Sequence, residues 1–429
     1  MSFLRSLYEV VTLPVSLLLG PLFMLRARGR ARLWERYGEW RLGFETREII
    51  WFHGASFGEI NGLLPVIREV KKRFPTHALL VSATSVTGPQ RAEGVADHVR
   101  LLPFDNPLWI SRALRGLKIK ALILGETEIW PGLLHDMHSR GVPICIVNGI
   151  VSDYTFSSYQ SMRPLIGENI ASLSLVLAAD DKSAGRYVSL GARPEVVRTS
   201  GNSKYDLHPS VETREEALKL RQRFFDNERP VLVLGSLRPG EEAVWFEALR
   251  DYAVSGQSVG HCPFNVIVAP RHREKFDYFS QKLEQYDLVH KRWSRTETQQ
   301  FFPPEADSIV LLDAMGMLEK VYSFADLVFV GGTLADFGGH NPLEPAAYGA
   351  CLVIGPHTSK IAEIVQTLQQ RDALLRVRDS KDARDVIESL IENRRELQAK
   401  GERAREVWQE YAGAAGRIAE ELSKLISAV

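Results

Sequence analysis

From Arg47 to about Leu207, short apolar runs alternate with stretches whose apolar residues recur every three or four positions. The runs at Ile49–His53, Ala78–Ala83, Arg100–Phe104, Ala121–Leu124, Ile144–Val147, Leu175–Ala178 and Val196–Ser200 read as buried strands. Stretches such as Ile60–Arg73 and Ser183–Leu190 read as amphipathic helices between them. A polar segment with a proline, residues 208–214, then serves as a linker. A second series follows at Val231–Leu234, Val266–Ala269, Ile309–Leu312, Leu327–Val330 and Leu352–Ile354, and from Lys381 onward the chain is charged and helical. Alternating strand and helix predicts α/β architecture with doubly wound parallel sheets. The expected divisions are residues 1–36, an N-terminal domain 37–207, the linker 208–214 and a C-terminal domain 215–429 that includes the final helices. Two Rossmann-like halves of this kind are expected to face each other across a cleft, with ligands at the carboxyl ends of the strands.

The pattern at the N-terminus differs. Leu7 to Leu25 is mostly apolar, interrupted by Glu9, Pro14, Gly20 and Pro21, and followed by Arg26, Arg28, Arg30, Arg32 and Arg36. A signal peptide carries its charges before the apolar core, so this order is the reverse of one. The expectation is a membrane-anchor helix lying in the interface, with the arginines on anionic headgroups at about 1 kcal/mol each. Positive charge after the apolar segment keeps the remainder on the cytoplasmic side. The competing arrangements are a spanning helix, for which the length suffices but Pro14, Pro21 and Glu9 are unfavourable, and a helix packed on its own domain.

Composition changes this picture little. At 429 residues the chain fits two domains, and 45% hydrophobic with 25% charged residues is ordinary for a globular protein. Lys+Arg and Asp+Glu are equal at 53 each, so no overall field favours nucleic acid. Cys145, Cys262 and Cys351 lie far apart, without metal-ligand spacing, and are expected to be reduced thiols. No metal and no cofactor is expected. GxGxxG and P-loop patterns are missing, which argues against nicotinamide, flavin or P-loop chemistry.

The candidate chemistry lies where strands empty into loops. Val330 to Ala347 runs through four glycines (331, 332, 338, 339) into His340, Asn341, Pro342, Leu343 and Glu344. A strand, glycine turn and helix start would leave backbone N–H groups open to an anion. Asn341-x-x-Glu344 is also a capping box that needs no ligand, while Glu344 could instead accept both hydroxyls of a ribose. In His53-Gly-Ala-Ser-Phe-Gly-Glu59, the glutamate is either a cap or a general base facing a cleft. Glu126, after the strand ending at Leu124, is the better cleft candidate of the Glu126/Glu128 pair, and Lys204 could meet an anion. Gly235 to Glu242, including Ser236, reads as a phosphate loop. Arg271 follows the next strand, and Gly316 would let backbone approach a flat base.

Together these pieces resemble the transferases of 3-deoxy-D-manno-octulosonic acid (Kdo). The matching motifs are HGASFGE (53–59), TSVTG (84–88), ETEIWPGL (126–133), GNSKYD (201–206), PRH (270–272), DAMGML (313–318), GGTL (331–334) and GGHNPLEPAA (338–347). The resemblance implies a GT-B fold and transfer of Kdo from CMP-Kdo onto a lipid A precursor at the cytoplasmic side of the inner membrane. It implies Glu59 as proton acceptor and Glu126 with Lys204 as transition-state stabilisers. It also implies CMP contacts from Arg271, His272, Gly316, Met317, Leu318, Asn341, Pro342, Leu343 and Glu344. One base without a nucleophilic partner suggests inverting displacement. The chain departs from the family where Asn148-Gly-Ile-Val-Ser152 lacks an arginine, and where Asp336-Phe337 replaces the basic residue often found ahead of the GGHN. The residues alone also admit a GT-B enzyme with another nucleotide-sugar or acceptor, a sugar-nucleotide epimerase, or a non-catalytic nucleotide-binding protein.

Overall fold

Both apolar series fold as parallel sheets. The computed structural model describes residues 3–24, 32–43, 45–206, 211, 213–225, 228–254, 263–296 and 309–428. They form two compact units: the first holds residues up to Asp206 together with Tyr411 onward, the second runs from Leu207 to Glu410. The linker expected at 208–214 lies mostly outside the described residues.

The first unit contains β1 (Glu48–Gly54), β2 (Ala78–Ala83), β3 (His98–Leu101), β4 (Lys118–Gly125), β5 (Ile144–Gly149), β6 (Leu175–Ala178) and β7 (Val197–Thr199). They lie in the order β3-β2-β1-β4-β5-β6-β7. Every neighbouring pair is parallel, with Ile49 to Gly54 of β1 matched to Ala78 to Ala83 of β2. β1, β2 and β5 are buried along nearly their whole length, which is why they read as continuous apolar runs. β3 ends at Leu101 rather than reaching Phe104, because the Phe104 N–H turns away to the Arg36 carbonyl.

The first helix, α1 (Phe3–Met24), packs on its own unit and does so with its polar side. Tyr8 donates to Asp105 at 2.7 Å, Arg5 meets His135 Nδ1 at 2.6 Å, Asn106 donates to Thr12 at 3.0 Å, and Trp109 donates to Ser16 at 2.9 Å. Leu4, Leu7, Val10, Val11, Val15, Leu17 and Leu18 are left 42–70% exposed. Among the described residues no helix is long and apolar enough to cross a membrane. Two of the five arginines expected on headgroups are held inside instead. Arg32 is bonded to Glu35 and to the Val99 carbonyl, while Arg36 is buried and donates to the Thr84 carbonyl. Arg26, Arg28 and Arg30 lie outside the described residues.

Helix α2 (Phe57–Arg73) follows β1, and α3 (Asp153–Ala171) follows β5. The last helix, Ala414–Ala428, had been expected in the C-terminal domain and instead belongs to the first unit. Ile418, Ala419, Leu422 and Ile426 share one core with Ile60, Leu63 and Ile67 of α2. Asp206 caps this helix by accepting from the Ala414 N–H at 3.0 Å and from that of Ala415. Sequence distance hid this packing, since the two partners lie more than 340 residues apart.

The second unit contains β8 (Val231–Leu237), β9 (Asn265–Pro270), β10 (Lys291–Arg292), β11 (Ile309–Leu311), β12 (Leu327–Val330), β13 (Cys351–Ile354) and β14 (Leu374–Arg376). Their order is β10-β11-β9-β8-β12-β13-β14, again all parallel. Helix α4 (Glu242–Val254) follows β8, and the short α5 (Leu343–Ala347) follows the loop after β12. In both sheets the strand order reverses beside the first strand, between β1 and β4 and between β8 and β12. Such a switch point opens a crevice at the carboxyl ends of the strands.

Candidate active site

At the first switch point, β1 ends in His53 and Gly54 and the chain enters α2 through Ser56. Ser56 accepts from the Glu59 N–H at 3.2 Å, and the Glu59 carboxylate accepts from the Ala55 N–H at 2.7 Å and the Ser56 hydroxyl at 2.9 Å. Glu59 is therefore a cap, and it is also half-buried among acids. Burial pushes its carboxyl up from the ordinary range and Glu128 adds to the rise, against the pull of the Ala55 and Ser56 hydrogen bonds and of His53. The two readings left open for this residue coexist, because each carboxylate oxygen has a second lone pair.

β4 delivers the other acids. Glu126 sits in the left-handed region at φ 55°, uncommon for a residue with a side chain, and its carbonyl accepts from Tyr187 at 2.9 Å. Its carboxyl is also pushed up, chiefly by burial and then by Glu59, while Lys204 pulls the other way. Glu128 accepts from the Trp130 indole at 2.7 Å, and His53 Nε2 lies 3.7 Å from it, fully buried.

Lys204 is exposed on a single 3₁₀ turn, Ser203–Tyr205, whose placement depends on Asn148. Asn148 donates to Ser203 Oγ at 2.8 Å and accepts from the Ser203 N–H at 2.9 Å, and Ser203 donates to the Gly62 carbonyl of α2 at 2.6 Å. This buried knot fastens the lysine's turn to the helix that carries Glu59. Asn148 was noted only as the head of an atypical loop. The available signal was a polar residue that tolerates the left-handed region standing at the end of an apolar strand, and in the structure Asn148 does take φ 54°.

At the second switch point the glycine turn is not an open anion seat. The fully buried Glu241 carboxylate accepts from the N–H groups of Gly332, Thr333 and Leu334, each at 2.9 Å, and of Arg238, also at 2.9 Å. Gly240 donates to Glu242 at 2.6 Å. The amides read as phosphate donors in both loops are thus largely occupied by the chain's own acids. Ser236 takes φ 54°, and a Cβ on Gly331 would stand 2.3 Å from the Ser236 carbonyl oxygen. That contact, not a ligand, requires glycine at 331.

The side chains brought together here are cationic. Arg238 donates through Nε to His340 Nε2 at 3.2 Å and through Nη1 to His272 Nε2 at 2.6 Å, and its guanidinium stacks 4.6 Å from the Phe337 ring centre. Burial, with Arg271, Arg238 and Lys360 around it, pushes His340 down to about 4, so its ring is neutral at pH 7. Asn341 accepts from the Leu343 N–H at 3.0 Å and also bonds Glu344. Burial raises the Glu344 carboxyl, against the pull of Arg271 and Asn341. Pro342 and Leu343 are buried in the same turn. Gly316 has φ 81° with open space beside it, between exposed Met315 and half-buried Met317 and Leu318. Arg238 was passed over in the sequence because nothing but its place in a loop marked it. Among the described residues no cluster of His, Cys, Asp and Glu could hold a metal ion.

Residues 31–207 match the family model of 3-deoxy-D-manno-octulosonic-acid transferase (kdotransferase). The chain is 30% identical over 405 residues to the 3-deoxy-D-manno-octulosonic acid transferase of Haemophilus influenzae, covering 93% of this chain and 92% of that one. The Bordetella pertussis transferase of the same name is 28% identical over 426 residues, covering 94% and 96%. Among solved structures, the UDP-GlcNAc 2-epimerase of Neisseria meningitidis superposes with a TM-score of 0.59 at 14% identity, over 88% of this chain and 100% of that one, a likeness of GT-B-like fold alone. Identity of that level across nearly the whole of both transferase chains establishes that this protein belongs to the Kdo transferase family and is a glycosyltransferase.

Proposed function

We propose that the enzyme moves Kdo from CMP-Kdo to a lipid A precursor by inverting displacement, at the cytoplasmic face of the inner membrane. The observation that carries this reading is the state of Glu59: fixed by two local donors at the sheet's switch point, with proton affinity raised by burial and by Glu128. A carboxylate so held is matched to take the proton of an acceptor hydroxyl. The hydroxyl oxygen forms a bond to the anomeric carbon of Kdo, the bond from that carbon to the phosphate oxygen breaks, CMP leaves with the electron pair, and Glu59 keeps the proton. Glu126, drawn toward its charged form by Lys204, opposes the positive charge developing on the sugar. Arg271, His272, Met317, Asn341 and Glu344 form the CMP seat in this scheme. The chain's own groups perform these steps without a metal or cofactor.

The membrane part of the reading rests on α1. A helix that hydrogen-bonds its polar side to its own unit and turns seven apolar side chains outward has the inverse of a soluble helix's polarity. An apolar face of that kind suits shallow burial in a leaflet. Purified full-length protein incubated with CMP-Kdo and lipid A precursor in anionic vesicles should give a Kdo-bearing lipid by mass spectrometry. Turnover with a UDP-sugar and none with CMP-Kdo would refute the donor. Undiminished vesicle binding by a Leu7→Glu, Val11→Glu, Leu18→Glu variant would refute the membrane face.

A further inference from the structure

We propose that Arg238 reads the sugar carboxylate of the donor, and so selects an acidic sugar over a neutral one. The inference rests on the donor reading above. An arginine side chain only donates, so the nitrogens it meets, Nε2 of His272 and Nε2 of His340, must accept. In this arrangement each Nε2 accepts, which leaves Nδ1 as the ring's donor position. The two imidazoles hold Arg238 from two directions while Phe337 supports the face of its guanidinium. Two of the five N–H groups are used in this way, which leaves three aimed elsewhere from a plane that can barely rotate.

The surroundings point those three at a ligand. Among the described residues no salt bridge joins Arg238 or Lys360 to a carboxylate, Glu344 faces Arg271 instead, and Glu241 has turned its oxygens to the backbone amides. His340, neutral as shown, adds no charge. A nucleoside monophosphate ester of a neutral sugar brings one negative charge, and Arg271, on the loop after β9, is placed to meet it. CMP-Kdo brings a second charge on a planar carboxylate attached to the reacting carbon. A fixed, planar fork matches a carboxylate's two oxygens in a way that the exposed Lys360 ammonium does not.

The test compares two ligands in the full-length enzyme. CMP lacks the carboxylate and CMP-Kdo has it. Arg238→Met should raise the KM for CMP-Kdo at least tenfold while the calorimetric Kd for CMP changes less than twofold; retained CMP binding also reports a folded seat. Arg238→Lys keeps the charge without the fork and should fall between Met and wild type, and it stands in if the Met variant does not fold. Equal weakening of CMP and CMP-Kdo would place Arg238 on the phosphate and overturn the proposal, as would no change in either. A wild-type protein without turnover on CMP-Kdo would overturn the donor reading and this inference with it. A working wild type beside an unaffected Arg238→Met overturns this one alone.

Discussion

At the switch point of the first sheet, Glu59, Glu126 and Glu128 crowd together with one exposed lysine for company, whereas at that of the second, Arg238, Arg271 and Lys360 surround a neutral histidine. Both places are built by a strand that ends in a glycine-bearing loop, and both keep a non-glycine residue in the left-handed region, Glu126 in one and Ser236 in the other. What separates them is where the backbone amides go. After β12 the amides of three consecutive residues converge on Glu241, so that this glutamate becomes a brace for the loop. After β1 only one amide reaches Glu59, and its neighbours are acids. The same residue type braces backbone amides in one loop and, in the proposed scheme, takes a proton in the other.

If the contrast holds, it should divide the kinetics. Glu59→Gln keeps the size and one capping acceptor while removing the base, and should lower kcat by about a thousandfold with the Kd for CMP unchanged. Arg271→Met should do the reverse, raising the Kd for CMP at least tenfold through loss of a charge-assisted contact. Turnover assays with matched calorimetry check both. Equal damage to turnover and CMP binding from either variant would break the division.

The next effect is on folding. Glu241→Gln places an amide NH2 against N–H donors at a fully buried position, and should cost about 3 kcal/mol of stability. Chemical denaturation should show the loss in whichever transition the second unit contributes. A loss well under 1 kcal/mol would mean that the loop amides have another acceptor.

The strands were legible because buried parallel strands leave apolar runs that need no periodicity to be seen. β10 and β14 escaped because two and three residues at a sheet edge make no run. Glu59, Glu126 and Arg271 could be named since each follows a strand at the edge where ligands gather. The glycine turn misled for a physical reason: amides able to hold a phosphate can equally hold a carboxylate, and Glu241 lies about ninety residues earlier in the chain. The return of the last helix to the first unit and the knot around Asn148 are long-range packing, which local pattern does not carry. The Leu7–Leu25 segment showed its apolar content in the sequence. Only the hydrogen bonds of Tyr8, Thr12 and Ser16 revealed which side faces outward.

The smallest effect should appear as a gain. Glu126 is raised in the folded state by burial and by Glu59, so the native protein holds its proton more tightly than the unfolded chain, whose glutamates titrate near about 4.3. A carboxyl with that shift favours folding when protonated and disfavours it once pH rises through the folded-state value. Glu126→Gln removes the ionisation while keeping size and the same demand for positive φ, so backbone strain cancels in the comparison. The loss of attraction to Lys204 is screened, because that lysine is exposed. At pH 8 the variant should be the more stable by about 1 kcal/mol. Below about pH 4, where the wild-type carboxyl is protonated in both states, the two proteins should melt together. The same substitution should lower turnover, so a variant that is both more stable and fully active at pH 8 would show that the crowding of acids at the first switch point serves no catalytic purpose.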